Sequence, residues 1–200
     1  MLVRDYMSSK VITVEPQCSL ANARRLLQKH RVRQLPVMRK ERVAGIVTDR
    51  DLRAAPAGLK TVAEVLTAKP SVVAPDAPID EAARLLRRLK VGALPVVENR
   101  RLVGIVTTTD VLDAFVDFCG VTEPTYHVML SGGDTADAKW RVRRVIDRKG
   151  GDLKWIYRDA RTGTLQARVR AAKFDDVVDA LEAEGFEVSA VLSPPRRRRA

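Results

Sequence analysis

Hydrophobic and polar positions follow the same order in two stretches of the chain that lie 59 residues apart. The octet GIVTDRDL begins at Gly45, and the nearly identical GIVTTTDV begins at Gly104. At the same offset, the segment LPV begins at Leu35 and again at Leu94. Because there are only two copies and each contains several elements, the repeat predicts two copies of one small domain rather than a solenoid.

Each copy has the pattern of a βαββα unit. A short β-branched segment, VITV in the first copy and SVVA in the second, predicts the first strand. Turn residues then lead into an amphipathic helix, and two strands joined by a charged turn follow it. A second helix is predicted to begin near Asp51 in the first copy and near Asp110 in the second.

The GIVT-x-x-D segment puts a threonine and an aspartate where a buried strand becomes a helix. Free backbone N–H groups and the positive end of the helix dipole can hold an anion there, and the Thr hydroxyl can bind phosphate or the helix end. An Asp carboxylate only accepts hydrogen bonds, so it can take both hydroxyls of a ribose. The alternative is that Thr48 and Thr107 cap their helices while Asp51 and Asp110 reinforce the caps.

The segments KHRVRQLPVMRKERVAGIVTDRDL and RLKVGALPVVENRRLVGIVTTTDV resemble CBS domains, and residues 1 to about 121 resemble a complete CBS pair. The resemblance implies two βαββα units that pack sheet to sheet about a pseudo-twofold axis. It also implies clefts that often bind adenosine nucleotides, and association of the pairs as homodimers. An adenine nucleotide is therefore expected as a regulatory ligand, with no cofactor required.

The resemblance further implies which residues face the nucleotide. They line the base pocket (Thr13, Gln34, Val72 and Ala93), supply cations for phosphate (Arg31 and Lys90), and hold phosphate and ribose (Thr48, Asp51, Thr107 and Asp110). The copies differ after the threonine, where the first has Asp49 and Arg50 and the second has two more threonines. A carboxylate beside the phosphate is unfavourable unless Arg50 offsets it, so we expect the second cleft to bind slightly better.

From Thr125 onward the pattern changes to a βαββαβ order, which is the ferredoxin-like arrangement. After a CBS pair, this region resembles an ACT domain, a regulatory module that often binds an amino acid or a similar small metabolite. The whole chain resembles the acetoin-utilisation CBS–ACT proteins. The resemblance implies an effector loop of Ser131, Gly132, Gly133 and Asp134, with the alternative that the glycines serve only the turn.

Together these patterns predict an α+β chain. Its four predicted parts are CBS domain 1 (1–62), CBS domain 2 (63–121), an ACT-like domain (122–193) and a basic disordered tail (194–200). Within the third part, Trp140 and Trp155 are expected to pack against the core rather than to line a ligand pocket.

Composition narrows the function classes only slightly. The formal net charge is +11, but Arg196–Arg199 form a terminal run, and the other basic residues stand beside acidic ones. Such a tail can bind nucleic acid weakly and without sequence preference. Cys18, Cys119 and the two histidines lack metal-ligand spacing, so no metal site is expected. No apolar run is long enough for a membrane span or a secretory leader, and a cytoplasmic location is expected.

The sequence contains no activated nucleophile, no acid and base pair beside an imidazole and no phosphate-loop pattern, so an enzyme is not expected. We predict a non-catalytic regulatory protein that senses AMP, ADP or ATP in the CBS clefts and couples this to an ACT-like effector or partner domain. The alternative is an oligomeric scaffold or nucleic-acid-associated protein that uses the arginine tail, in which the CBS motif is only structural.

Overall fold

The structure is a computed structural model that describes residues 1–68, 70–133 and 135–192, so the predicted basic tail (194–200) lies outside the described residues. It has two compact units, the first spanning Met1–Ala114 and the second beginning at Phe115. The division falls inside a helix, whereas the sequence pattern puts the boundary after residue 121. The end of this helix belongs with the second unit because the backbone carbonyl of Cys119 accepts a hydrogen bond from Trp155 Nε1 at 2.8 Å.

The N-terminal unit contains both repeats and mixes helices with two small antiparallel sheets. Its elements are α1 (Val3–Tyr6), α2 (Leu20–His30), β1 (Gln34–Arg39), β2 (Arg42–Thr48), α3 (Asp49–Ala54), a 3₁₀ helix (Val62–Glu64), β3 (Thr67–Ala68), α4 (Ile79–Leu89), β4 (Ala93–Glu98), β5 (Arg101–Thr107) and α5 (Thr108–Cys119), which runs on past the division. The sheets have the strand orders β1-β2-β3 and β4-β5. The predicted helix and two-strand core of each copy is therefore confirmed.

The prediction of a first strand at VITV and at SVVA is wrong, because neither segment forms an extended strand. Each segment makes only a single-residue parallel bridge, Val14 with Val37 and Val73 with Val96. A proline follows two residues after each bridge, Pro16 in the first copy. Because proline has no N–H to donate, the ladder cannot continue beyond that point.

The sheet edges of the two copies are completed by exchanged segments. β3, at the start of the second copy, pairs with β2 of the first copy. The corresponding N-terminal segment pairs with β5 of the second copy through Ser8 and Ile105, and Val3 is fully buried in the second copy's core. Neither copy is complete without a segment from the other, which accounts for their forming one compact unit.

The C-terminal unit has the βαββαβ order that its sequence predicts. Its elements are β6 (Tyr126–Ser131), α6 (Ala138–Arg148), β7 (Asp152–Arg158), β8 (Leu165–Arg170), α7 (Phe174–Ala183) and β9 (Glu187–Leu192). The strands form one antiparallel sheet in the order β7-β8-β6-β9. Both helices bury apolar residues, such as Val142 and Val177, in one core with Val128 and Leu165 of the sheet. Across the described ranges, no helix is both long and apolar enough to cross a membrane.

Candidate nucleotide-binding site

In the first copy, a ring of hydrogen bonds closes at the start of α3. Thr48 ends β2 and is the N-cap of α3. Its backbone N–H and its hydroxyl both donate to Asp51 Oδ2, at 2.9 and 2.7 Å, and its Oγ1 accepts from the Asp51 N–H at 3.2 Å. This arrangement is a capping box, in which side chains satisfy N–H groups that a helix start leaves free.

The second copy repeats the ring at the start of α5. The N–H and hydroxyl of Thr107 donate to Asp110 Oδ2 at 2.6 and 2.8 Å, and the Asp110 N–H donates back to Thr107 Oγ1 at 3.3 Å. The capping role that the sequence left open is therefore observed in both copies.

The rings change the roles available to the two side chains. The hydroxyl hydrogen of each threonine is already used by the aspartate, so the hydroxyl cannot donate to a phosphate without breaking the ring. All the described bonds to each aspartate end on Oδ2, and among the described residues none donates to Oδ1 of Asp51 or Asp110. Because a carboxylate oxygen has two lone pairs, Oδ1 can still accept the hydroxyls of a ribose.

The residues predicted to line the base pocket lie at the strand starts beside these rings. Gln34 is opposite Thr48 in the β1–β2 register, and Ala93 is opposite Thr107 in the β4–β5 register. A Cβ at Gly92 would lie 2.5 Å from Gln34 Nε2, so the glycine leaves room for the Gln34 amide next to the start of β4. The two strand starts therefore lie together, and only the first brings a polar side chain.

The other predicted contacts are solvent-exposed. Thr13 and Val72 each precede a bridge residue, and the Val72 side chain is 45% exposed. Arg31 and Lys90 end α2 and α4 in the left-handed conformation, with φ of 52° and 55°. Neither cation has an ion pair with a described residue, so both are available to a phosphate.

The carboxylate that distinguishes the first copy forms an ion pair with a residue that the sequence analysis did not single out. Asp49 Oδ2 lies 2.8 Å from Arg53 Nη2, in an i,i+4 pair on α3. Arg50, the residue expected to offset Asp49, is exposed and makes no ion pair with a described residue. The i,i+4 spacing was the signal available in the sequence, since side chains at that spacing are neighbours on a helix.

Two surface depressions of the N-terminal unit lie apart from the predicted site. One has a volume of about 430 Å³ and is lined by Ala83, Arg84, Arg87 and Arg88 of α4. The other has a volume of about 440 Å³ and lies between the start of α2 and residues 55–60. Neither contains a predicted nucleotide contact, so neither is part of the candidate site.

In the C-terminal unit, the glycines of the predicted effector loop have packing roles. A Cβ at Gly132, whose φ is 82°, would lie 2.9 Å from the Gly185 carbonyl oxygen, and one at Gly133 would lie 2.7 Å from the Phe186 ring. The Gly133 carbonyl accepts from Arg158 Nη2, and Ser131 Oγ donates to Glu187 Oε2 at 3.1 Å. Asp134 lies outside the described residues. These contacts favour the turn interpretation over an effector loop.

A polar and aromatic cluster lies on the sheet face opposite the two helices. His127 Nε2 and Gln166 Oε1 are 2.8 Å apart, and the His127 ring meets Trp155 edge to face at a centroid distance of 5.3 Å. Burial lowers the pKa of His127, against the opposing effect of the Gln166 hydrogen bond. Trp155 is half-buried, and its Nε1 donates a hydrogen bond to the Cys119 carbonyl oxygen. The expectation that Trp140 packs against the core is wrong, because Trp140 is 58% exposed.

The repeated order of elements is shared with a known family. The family model of the CBS domain matches residues 3–58 and again residues 62–117, which is more than half of the chain. The chain belongs to the CBS domain family. The two matches are the repeats recognised from the pattern, and together they form a tandem CBS pair.

Two of the curated relatives share this pair as part of larger proteins. An inosine-5′-monophosphate dehydrogenase of Korarchaeum cryptofilum is 41% identical over 102 residues, which are 50% of this chain and 21% of that enzyme. An L-aspartate semialdehyde sulfurtransferase of Methanocaldococcus jannaschii is matched over 23% of its length. The chain thus spans about a fifth of the length of these relatives.

Solved structures that resemble the chain include CBS pairs with bound adenosine ligands. One is a CBS domain pair in complex with 5′-methylthioadenosine and S-adenosyl-L-methionine, with a TM-score of 0.56, 32% identity and coverage of 58% of this chain and 97% of that one. CBSX2, a protein of Arabidopsis thaliana, in complex with AMP has a TM-score of 0.54, 32% identity and coverage of 58% and 96%. The acetoin utilization protein AcuB of Vibrio cholerae has a TM-score of 0.55, 30% identity and coverage of 62% and 96%.

Proposed function

We propose that the chain is a non-catalytic regulatory protein that senses an adenosine nucleotide in the clefts of its CBS pair. The observation that carries the proposal is the pair of matching Thr–Asp rings, each of which holds an aspartate in place and leaves Oδ1 as a ribose acceptor. The bound adenosine ligands of similar CBS pairs support the nucleotide class.

In each cleft, different side chains bind the ribose, the phosphate and the base of the nucleotide. Asp51 and Asp110 accept the ribose hydroxyls, and the threonines orient the two carboxylates rather than binding phosphate. Arg31 and Lys90 supply the positive charge for the phosphate, because the capped helix starts have few N–H groups left for an anion. The base lies against the strand starts, where Gln34 and the backbone near Thr13, Val72 and Ala93 offer hydrogen bonds.

The C-terminal unit has a coupling role in the proposed function. We assign residues 1–62 and 63–121 to the two CBS domains, and residues 122–193 to an ACT-like domain that couples nucleotide binding to an effector or partner. The ferredoxin-like topology supports this assignment. An amino acid or a similar small metabolite is the ligand class that the ACT resemblance implies.

Self-association supplies the shared interface that such coupling requires. α5 exposes Leu112, Phe115 and Phe118, which are 57%, 58% and 62% exposed and follow one another at three-residue spacing. Large apolar side chains in a row on one helix are typical of an interface, because single exposed apolar residues are common but contiguous ones are not. We therefore propose a homodimer in which α5 contributes to the contact.

The alternative function keeps the same fold without a nucleotide. The rings are complete as helix caps, which favours a scaffold in which the motif is only structural. Thermal unfolding with AMP, ADP, ATP, S-adenosylmethionine and 5′-methylthioadenosine at millimolar concentration separates the two. Nucleotide sensing predicts a rise in melting temperature with at least one of them, since a ligand that binds only the native state stabilises it. No shift with any of the five would leave the scaffold as the function.

A further inference from the structure

The two helices of the C-terminal unit carry opposite charges. α6 has the basic residues Lys139, Arg141, Arg143, Arg144 and Arg148 and a single acidic residue, Asp147. α7 has the acidic residues Asp175, Asp176, Asp179 and Glu182 and no basic one. Because the helices lie side by side on one face of the sheet, their exposed surface, here called the helix layer, is basic along one half and acidic along the other.

Within the unit this charge separation is only partly neutralised. Glu184, at the end of α7, is 3.8, 3.3 and 2.7 Å from the guanidinium nitrogens of Arg141, Arg144 and Arg148, and Arg148 above all lowers its pKa. Lys139, Arg143 and the acidic residues of α7 make no ion pair with any described residue. Within the described part of the chain, cations and anions on adjacent helices thus remain unpaired.

Four of these unpaired charges lie on the outer flanks of the layer. At 100° per residue, Lys139 and Arg143 fall on the side of α6 opposite Arg141 and Arg148, which face α7 through Glu184. By the same spacing, Asp179 and Glu182 fall on the side of α7 opposite Glu184. The basic and acidic flanks therefore point away from each other within one copy.

An exposed aromatic residue adds apolar area to this surface. The Trp140 side chain is 58% exposed, and the Arg144 guanidinium lies 4.7 Å from its ring centroid. Tryptophan and arginine are enriched among the residues that dominate binding energy at protein interfaces. The layer consequently has an anchor as well as complementary charge.

We propose that the helix layer binds the helix layer of a second copy of this chain, about a two-fold axis parallel to α6 and α7. This axis puts α6 of each copy over α7 of the other, so that each basic flank meets an acidic one, whereas a perpendicular axis would stack α6 on α6. A self-complementary patch of this kind is what a two-fold interface requires. A polyanion fits less well, because the carboxylates of α7 would repel it.

The test uses the full chain with Leu112→Glu, which weakens the proposed α5 contact so that association through the helix layer is measured by itself. One variant adds Lys139→Glu and Arg143→Glu, and the other adds Asp179→Lys and Glu182→Lys, which avoids the acidic first turn of α7. Sedimentation velocity at low salt should show self-association of the Leu112→Glu chain. Each reversed variant should raise the dissociation constant at least about tenfold, because two repulsive contacts form in each dimer.

Mixing supplies the decisive measurement. An equimolar mixture of the two reversed variants should associate as a heterodimer with a dissociation constant within about threefold of the unreversed chain, because each reversed flank then meets its opposite. The inference is overturned if the Leu112→Glu chain is monomeric at low salt, if the reversals leave association unchanged, or if mixing does not restore it. Thermal shift with AMP on the same variants reports the proposed nucleotide function separately, since no nucleotide-facing residue is changed.

Discussion

The first and second CBS copies build the same ring at the helix start but surround it differently. The Thr48 and Thr107 rings use the same atoms and have nearly the same distances. Around them, the first copy has the Gln34 amide and the Asp49–Arg53 pair, whereas the second has Ala93 and uncharged threonines. The ring is thus a feature of the strand-to-helix junction, and any difference in ligand preference must come from its neighbours.

The largest expected effect tests whether the two copies contribute equally to the fold. Leu35 and Leu94 are equivalent strand residues and are 0% and 1% exposed. Replacing either by alanine should lower the free energy of unfolding by about 2–5 kcal/mol, through lost burial and the cavity left behind. Urea unfolding of the two variants checks this. A cost below about 1 kcal/mol at only one position would mean that the copies differ in packing as well as in their sites.

The second prediction compares the clefts through their aspartates. Asp51→Ala and Asp110→Ala should each weaken nucleotide binding in their own cleft by about 1.5–3 kcal/mol, or roughly tenfold to more than a hundredfold. The loss at Asp110 should be slightly the larger, because the exposed Asp49–Arg53 pair offsets the added carboxylate of the first cleft only in part. Calorimetric titration with AMP measures both.

A control variant separates ligand contact from capping. Thr61 and Glu64 form a related but open arrangement: both Thr61 donors lie 2.7 Å from Glu64 Oε2, whereas the Glu64 N–H donates to the Thr61 carbonyl oxygen, and neither residue is predicted to face a nucleotide. Glu64→Ala should lower stability as the aspartate variants do while leaving affinity unchanged. Normal AMP binding in both aspartate variants would reduce the repeated motif to a pair of helix caps.

The sequence predicted those features that are determined by residues close together in the chain. The rings form between residues three apart, and the strands show an alternation of hydrophobic and polar residues over a few positions. Both could therefore be predicted from the sequence. The exchange of Ser8 and β3 between copies depends on pairing across the chain, which periodicity does not encode. The shortening of the first strands was readable from Pro16, and the exposure of Trp140 from its position opposite Val142 on α6.

The third prediction uses the glycines that precede each ring by three residues. A Cβ at Gly45 would lie 2.6 Å from the Thr67 carbonyl oxygen, whereas one at Gly104 would meet mainly the flexible side chain of Met7, with its Sδ at 2.6 Å. Gly45→Ala should therefore cost about 1–3 kcal/mol of unfolding free energy, and Gly104→Ala less, because Met7 can move. Thermal or urea unfolding checks the order. Equal costs would show that the N-terminal segment holds its place as rigidly as β3.

The smallest effect addresses the Asp49–Arg53 pair itself. Arg53→Gln leaves the Asp49 carboxylate without its cation, so a phosphate in the first cleft should bind about twofold to fivefold more weakly, in keeping with the small energies of exposed ion pairs. The Asp110→Ala background isolates the first cleft for calorimetry. In the same background, Asp49→Thr should cancel the effect of Arg53→Gln, because the first copy then matches the uncharged threonines of the second. The loss should also shrink at high salt, where exposed charges are screened. If Arg53→Gln weakens binding equally with and without Asp49, then Arg53 contacts the phosphate directly, and the asymmetry of the two clefts does not arise from the added carboxylate.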